Sequence, residues 1–182
     1  MSMRHPTRSR SGGFSLVEVM VALVVVSVGL LGLAKMESVS LASTSVAGSR
    51  ALAAIEAASM AAAMHANPGY WGAGLAPPST TIYYDSTGTL QISDSGLATA
   101  ATCLTAGTTS CSVGNMAAYD VQQWAAALKQ VLPGPFATIV CNTNGFPVTC
   151  TVTIQWAENA VAGNAQQTVA LAAPTYTLFV QP

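Results

Sequence analysis

Charge is scarce in this chain: Asp, Glu, Lys and Arg make up 7% of its 182 residues, against about a quarter in an ordinary soluble domain. Beyond the first thirteen residues there are three bases, Lys35, Arg50 and Lys129, and they are far apart. Phosphate binding needs clustered bases, so no nucleic-acid partner is expected. Histidine is nearly missing as well, and after Phe14 only His65 is left. A Ser–His–Asp or Cys–His centre would have to place it beside Asp85, Asp94 or Asp120, and no nucleophile motif supports that. The simpler reading of His65 is a helix-terminal cation or a core group. Paired carboxylates, a phosphate loop and a metal-ligand cluster are not found either. The expectation is therefore a chain that is not an enzyme and takes no cofactor and no metal. There is no Cys-x-x-Cys, which disfavours zinc and thioredoxin-type chemistry. Finally, no proline interrupts residues 15–66.

The charges that are present are unevenly placed. Arg4, Arg8 and Arg10 precede Phe14, with no acid among them. From Phe14 onward three bases face seven acids, Glu18, Glu37, Glu56, Asp85, Asp94, Asp120 and Glu158, a net of −4. Between the basic head and the body lies FSLVEVMVALVVVSVGLLGLA, residues 14–34. It is about 20 residues long, enough to span a hydrocarbon core, and Glu18 is its only charge. The positive-inside rule places the N-terminus in the cytoplasm and the body outside. An ordinary secretory signal, cut near Gly32-Leu33-Ala34, is the alternative. Its apolar region runs to about 7–15 residues, shorter than this one, and this run carries an acid near its start. Cys103, Cys111, Cys141 and Cys150 are even in number, with a short loop between each adjacent pair. They read as two disulfides formed in an oxidising compartment, here the periplasm.

The junction Ser11-Gly12-Gly13-Phe14-Ser15-Leu16-Val17-Glu18 resembles the class III leader junction of type IV prepilins and type II secretion pseudopilins. The resemblance covers about the first 35 residues. It implies cleavage after Gly13 by a prepilin peptidase and methylation of the new amino terminus at Phe14. It also makes Glu18 the acid that serves subunit assembly. The physical chemistry agrees. Gly12 and Gly13 offer no side chain to obstruct a protease. Ser15 can cap a helix with its hydroxyl, and Glu18 then lies in the first turn, where the helix dipole favours a negative charge. An ionisable group in a membrane is costly and is a functional candidate by default. Its natural partner is the amine that cleavage creates, which with a pKa of about 8 is largely cationic at neutral pH. Pairing Glu18 with the Phe14 amine of a neighbouring subunit removes two unpaired charges and sets an axial register. The competing reading of Glu18 is an interfacial acid that reaches headgroup water.

Beyond the apolar run, Lys35 to Ala66 is rich in Ala, Leu, Met, Ser and Glu and continues the helix until Asn67-Pro68-Gly69 stops it. Residues 15–66 as one helix would measure about 75 Å. Leu52, Ile55, Ser59 and Ala62 share one face, and Met60 and Met64 extend a neighbouring stripe. Gly29 and Gly32 mark either close helix packing in lipid or a segment able to unwind. Residues 69–114 read as a loop region with two short strands, Thr81–Tyr84 and Thr89–Ile92, joined by a turn at Asp85-Ser86-Thr87-Gly88. Too few acids converge there for calcium. Tyr119 to Leu132 is amphipathic, with Val121, Trp124, Leu128 and Val131 on one face, and Trp124 reads as a core residue. Strands follow at Ala137–Asn142, at Val148–Trp156 with apolar residues at the even positions, and at Thr175–Gln181, with a short one at Val169–Leu171. A hairpin of the first two would let Cys141 and Cys150 bridge neighbouring strands, and Cys103 with Cys111 would staple the loop region.

The expected fold is therefore α+β, a pilin fold. It divides into a leader (1–13), the transmembrane and filament-core half of the helix (14–34), its periplasmic half (35–66) and a globular head (67–182). Asp120-x-x-x-Trp124-x-x-x-Leu128, Leu132-Pro133-Gly134 and Tyr176-x-Leu178-x-Val180 resemble the PilV group of minor pilins. Pro135 stands where that group leads one to expect a second glycine. The resemblance implies a low-abundance subunit that starts or modifies pilus assembly and supports twitching motility and adhesion. Its partners would be the prepilin peptidase, the major pilin, other minor pilins and the inner membrane. A minor pseudopilin of a type II secretion system and a tip adhesin are the rival readings.

Overall fold

The computed structural model describes residues 13–101, 103, 111–143, 145–158 and 173–182. The fold is α+β. The chain divides into two compact units, one ending at Leu41 and the other running from Ala42 to Pro182. Helix α1, Leu16–Ala66, contributes residues to both.

Helix α1 has 51 residues. With no proline inside and alanine the commonest residue of its last third, little opposes helix formation. It ends where expected. Pro68 cannot continue the ladder, and the Asn67 amide bonds back to the Met64 carbonyl at 3.2 Å. The Asn67 side chain then donates to the Val113 carbonyl at 2.8 Å and is buried. That bond ties the end of α1 to the start of the helix that begins at Val113.

In the second unit a five-stranded antiparallel sheet has the order β2-β1-β3-β4-β5. The strands are β1 Ser79–Tyr84, β2 Leu90–Ile92, β3 Phe136–Asn142, β4 Thr149–Gln155 and β5 Thr175–Val180. All five lie within two residues of the expected limits. The expected strand at Val169–Leu171 lies outside the described residues. Alternation fixes the register. Cys150, Val152 and Ile154 of β4 are buried, while Thr149, Thr151, Thr153 and Gln155 stand on the other face. That outer face carries an unbroken row of directly opposed threonines, Thr81, Thr138, Thr153 and Thr177. Beside it Tyr83 and Phe136, also opposed, stack with ring centroids 5.9 Å apart.

Two helices complete the unit. Helix α3, Val113–Val131, begins six residues before the expected Tyr119 because the Ser112 hydroxyl caps it, accepting from the Asn115 amide at 3.2 Å. A four-residue helix α2, Ser95–Ala98, was not expected. It forms because the Asp94 carboxylate accepts from the Leu97 amide at 2.9 Å. Gln122 of α3 donates to the carbonyls of Leu97 and Thr99, both at 2.8 Å, and fastens this short helix down.

The core gathers Val121, Trp124 and Leu128 of α3 with Ile139, Val152 and Ile154 of the sheet. From α1 it takes Ala53, Ala57, Met60 and Met64, all completely buried. That stripe is not the Leu52–Ile55 face: Ile55 is 61% exposed and Leu52 37%. Alanines on the buried stripe let the helix backbone itself come close. The Trp124 indole donates directly to the Glu56 carbonyl at 2.8 Å. The two buried methionines each contribute about 2 kcal/mol of buried apolar surface.

Candidate functional site: the start of the apolar helix

Gly13 and Phe14 precede α1, and Ser15 stands at its cap position. Capping here runs through the backbone. The Ser15 carbonyl accepts from the amides of Glu18 at 3.0 Å and Val19 at 3.2 Å. This closes the first turn and fixes Glu18 within it. Negative charge is favoured at that point by the helix dipole.

Every residue from Gly13 to Leu41 is exposed. Phe14 is 81% exposed, and the leucines and valines behind it are mostly more than half exposed. In water this would be prohibitive, since each uncovered large side chain forgoes about 1.5–3 kcal/mol of burial. The run has a mean hydropathy of 2.6 over 18 residues and is long and apolar enough to cross a membrane. Phe14, Glu18, Ala22 and Val26 follow one another at intervals of four, and with Val19 and Leu23 they line a shallow groove of about 300 Å³ along the helix. One acid and the residue that would bear the new amine thus face the same side, and the rest of that side is apolar.

The helix passes through Gly29 and Gly32 without a break. A Cβ at either position would meet nothing within 4 Å. The glycines therefore make no close packing among the described residues, which leaves packing against other helices or local unwinding as their use. Ser27 satisfies its hydroxyl by donating to the Leu23 carbonyl one turn back, at 2.7 Å.

The remaining candidate residues lie in the second unit. Cys103 is bonded to Cys111 and Cys141 to Cys150. Cys141 and Cys150 are directly opposed in the β3–β4 register and lie in the core. The carboxylate of Asp85 is fully occupied by its own turn. Its Oδ1 accepts from the Thr87 hydroxyl at 2.6 Å and from the amides of Thr87 and Thr89 at 2.9 Å each. Its Oδ2 accepts from Gln91 at 2.8 Å. The Thr87 hydroxyl, followed by the Thr89 amide, lowers its pKa to about 2. Burial, by contrast, raises Glu56 and Asp120. Asp94 is engaged as the cap of α2, and His65 is exposed in the last turn of α1. Among the described residues no group of three or more His, Cys, Asp or Glu is placed to hold a metal ion.

Sequence reasoning passed over two residues. Trp71, in the turns after α1, is completely enclosed, and its Nε1 has no acceptor among the described residues. Glu158, just past β4, accepts from the Trp156 indole at 3.2 Å and pairs with Arg50 at 3.6 Å. Neither sits in a motif, and the pairing of Arg50 with Glu158 joins residues remote in sequence.

Comparison with known proteins agrees with the geometry at one place. Residues 8–34 match the prokaryotic N-terminal methylation motif. The match spans the end of the basic leader, the Gly13–Phe14 junction, Glu18 and the apolar run, and it indicates a type IV pilin-like chain, a pilin or a pseudopilin. No curated protein and no solved structure matches the chain.

Proposed function

We propose that this chain is a minor type IV pilus subunit of the PilV type, a structural protein and not an enzyme. A prepilin peptidase cuts it after Gly13 and methylates the amine of Phe14. Until assembly, residues 14–34 hold it in the inner membrane, with the head in the periplasm. During assembly the apolar helix leaves lipid for the helices of other pilins, and Glu18 pairs with the Phe14 amine of a neighbour. The two disulfides fit a head that matures in the periplasm.

The observation that carries this reading is the position of Glu18. It lies one turn from Phe14, on the same side, in a helix whose first 26 residues, Leu16 to Leu41, are all exposed. A lone carboxylate on a lipid-facing helix is unfavourable. It becomes favourable once a cation is supplied at the same depth, and cleavage of the chain supplies one.

A minor pseudopilin of a type II secretion system is the second reading, because the methylation motif serves it equally. Deleting the gene in its host separates the two. Loss of surface pili and twitching supports the pilus subunit, and loss of exoprotein release with intact twitching supports the pseudopilin.

A further inference from the structure

Within the second unit, the turns of α1 from Ala42 to Leu52 are held differently from those that follow. The fully buried positions of the helix begin at Ala53. From Ala42 to Ser49 the chain reads ASTSVAGS. Five of those eight residues are Ser, Thr or Gly, which are weaker helix formers than the alanines that dominate Arg50–Ala66. This stretch also stands off the rest of the unit. A groove of about 520 Å³ runs beside it, with Ser45, Gly48 and Ser49 on the helix side and Val131, Pro133 and Ala157 opposite. A Cβ on Gly48 would meet nothing within 4 Å.

Two side chains of the stretch and its border reach across to a single atom. Ser49 Oγ, which donates to the Val46 carbonyl at 3.0 Å, also lies 3.4 Å from Glu158 Oε1, and Arg50 Nε lies 3.6 Å from the same oxygen. The receiving carboxylate is itself anchored. Trp156 Nε1 donates to Oε1 at 3.2 Å, and Trp156 is 2% exposed, in the core. Arg50, by contrast, has a side chain that is 64% exposed.

We propose that Ala42–Leu52 is a releasable strap and Glu158 its catch. Residues 53–66 belong to the core and open only with it. Residues 42–52 have weak local propensity and half-buried positions at Ala42, Val46 and Ser49, and their reach across to the sheet side converges on Glu158. Releasing the carboxylate lets these turns unwind while the sheet and α3 stay folded. The helix then has a compliant stretch inside the second unit. This inference concerns local stability and does not depend on the pilus reading.

Amide hydrogen exchange followed by mass spectrometry, on the full chain in detergent micelles, tests it. In the unmodified protein, peptides covering 42–52 should exchange faster than peptides covering 53–66. Glu158→Ala should speed exchange across 42–52 by about two- to fivefold, the scale of losing a partly exposed ion pair. Glu158→Ala also strips the Trp156 indole of its acceptor and can unsettle the core. Arg50→Gln, matched in helix propensity and leaving Glu158 and Trp156 in place, should give a local rise of the same size across 42–52 and leave 53–66, β3 and β4 unchanged. Equal protection of 42–52 and 53–66 in the unmodified protein overturns the proposal. So does unchanged exchange across 42–52 in Arg50→Gln, or a rise in that variant that spreads evenly over the sheet.

Discussion

Trp124 Nε1 lies 2.8 Å from the backbone carbonyl of Glu56. The indole of α3 thus bonds to the main chain of α1, next to the stripe of Ala53 and Ala57. The carbonyl it reaches already belongs to the helix ladder, so the bond is an addition to α1 and replaces nothing. Trp124→Phe keeps most of the packing and loses the bond, and should cost about 1 kcal/mol. Trp124→Ala empties a core site and should cost about 3–5 kcal/mol. Thermal unfolding of the two variants measures both. No loss in Trp124→Phe would mean that the bond contributes nothing beyond packing, and equal losses would mean that the ring's packing adds nothing to the bond.

The buried bridge should matter more than the loop staple. Cys141 and Cys150 are 4% and 0% exposed and join strands already in register. Replacing both with alanine should cost roughly 2–3 kcal/mol from loop closure, plus the packing of two sulfurs in the core. Replacing Cys103 and Cys111 removes a comparable loop closure without that second part. Denaturant titration of the two double variants should rank them in this order, and the reverse order would contradict the placement of Cys141–Cys150 as core.

Asp85 gives the head an acid-sensitive turn. Its pKa is lowered in the fold to about 2, below the roughly 3.9 of an unfolded aspartate. The folded state therefore binds this proton less readily, and the carboxylate stabilises the fold fully at neutral pH. That contribution fades as pH falls from about 4 toward 2. Glu56 and Asp120, raised by burial, act in the opposite sense but are common to both proteins compared. Asp85→Asn should melt below the unmodified protein at pH 7, and most of the gap should be gone at pH 2. A gap of the same size at both pH values would show that the carboxylate's charge is not what orders the turn.

Glu18→Ala tests assembly without disturbing insertion. The substitution removes the one charge in residues 14–34, so membrane retention should hold or improve. Incorporation into filaments should fall sharply, as seen by immunoblotting of sheared pili against the membrane fraction. Normal incorporation would remove the amine pairing from the account.

Much of this architecture was legible in the residues. Asn67-Pro68-Gly69 announced the end of α1, and the strict alternation of Thr149 to Trp156 announced both strand and inner face. What escaped was decided by neighbours or by caps. The buried stripe of α1 went to Ala53 and Ala57, although Leu52 and Ile55 are the larger apolar residues. Close approach by the α3 indole favours small side chains, and a sequence does not reveal which helix will approach. The start of α3 at Val113 and the whole of α2 rest on Ser112 and Asp94, single polar residues inside a stretch rich in Gly, Ser and Thr. There a cap looks like any other loop residue. The leader junction was readable because its chemistry is local: basic residues, Gly13, Phe14 and an acid one turn on. The strap held by Glu158 was not, because it depends on residues brought together only by folding.

The claim on which the rest depends is that the chain is cut between Gly13 and Phe14 and methylated there. Mass spectrometry of the N-terminal peptide of the protein purified from its host decides it. The mature protein should yield a peptide that begins at Phe14 and is heavier by one methyl group. A protein that keeps Met1 to Gly13, or one that begins at Lys35, contradicts it.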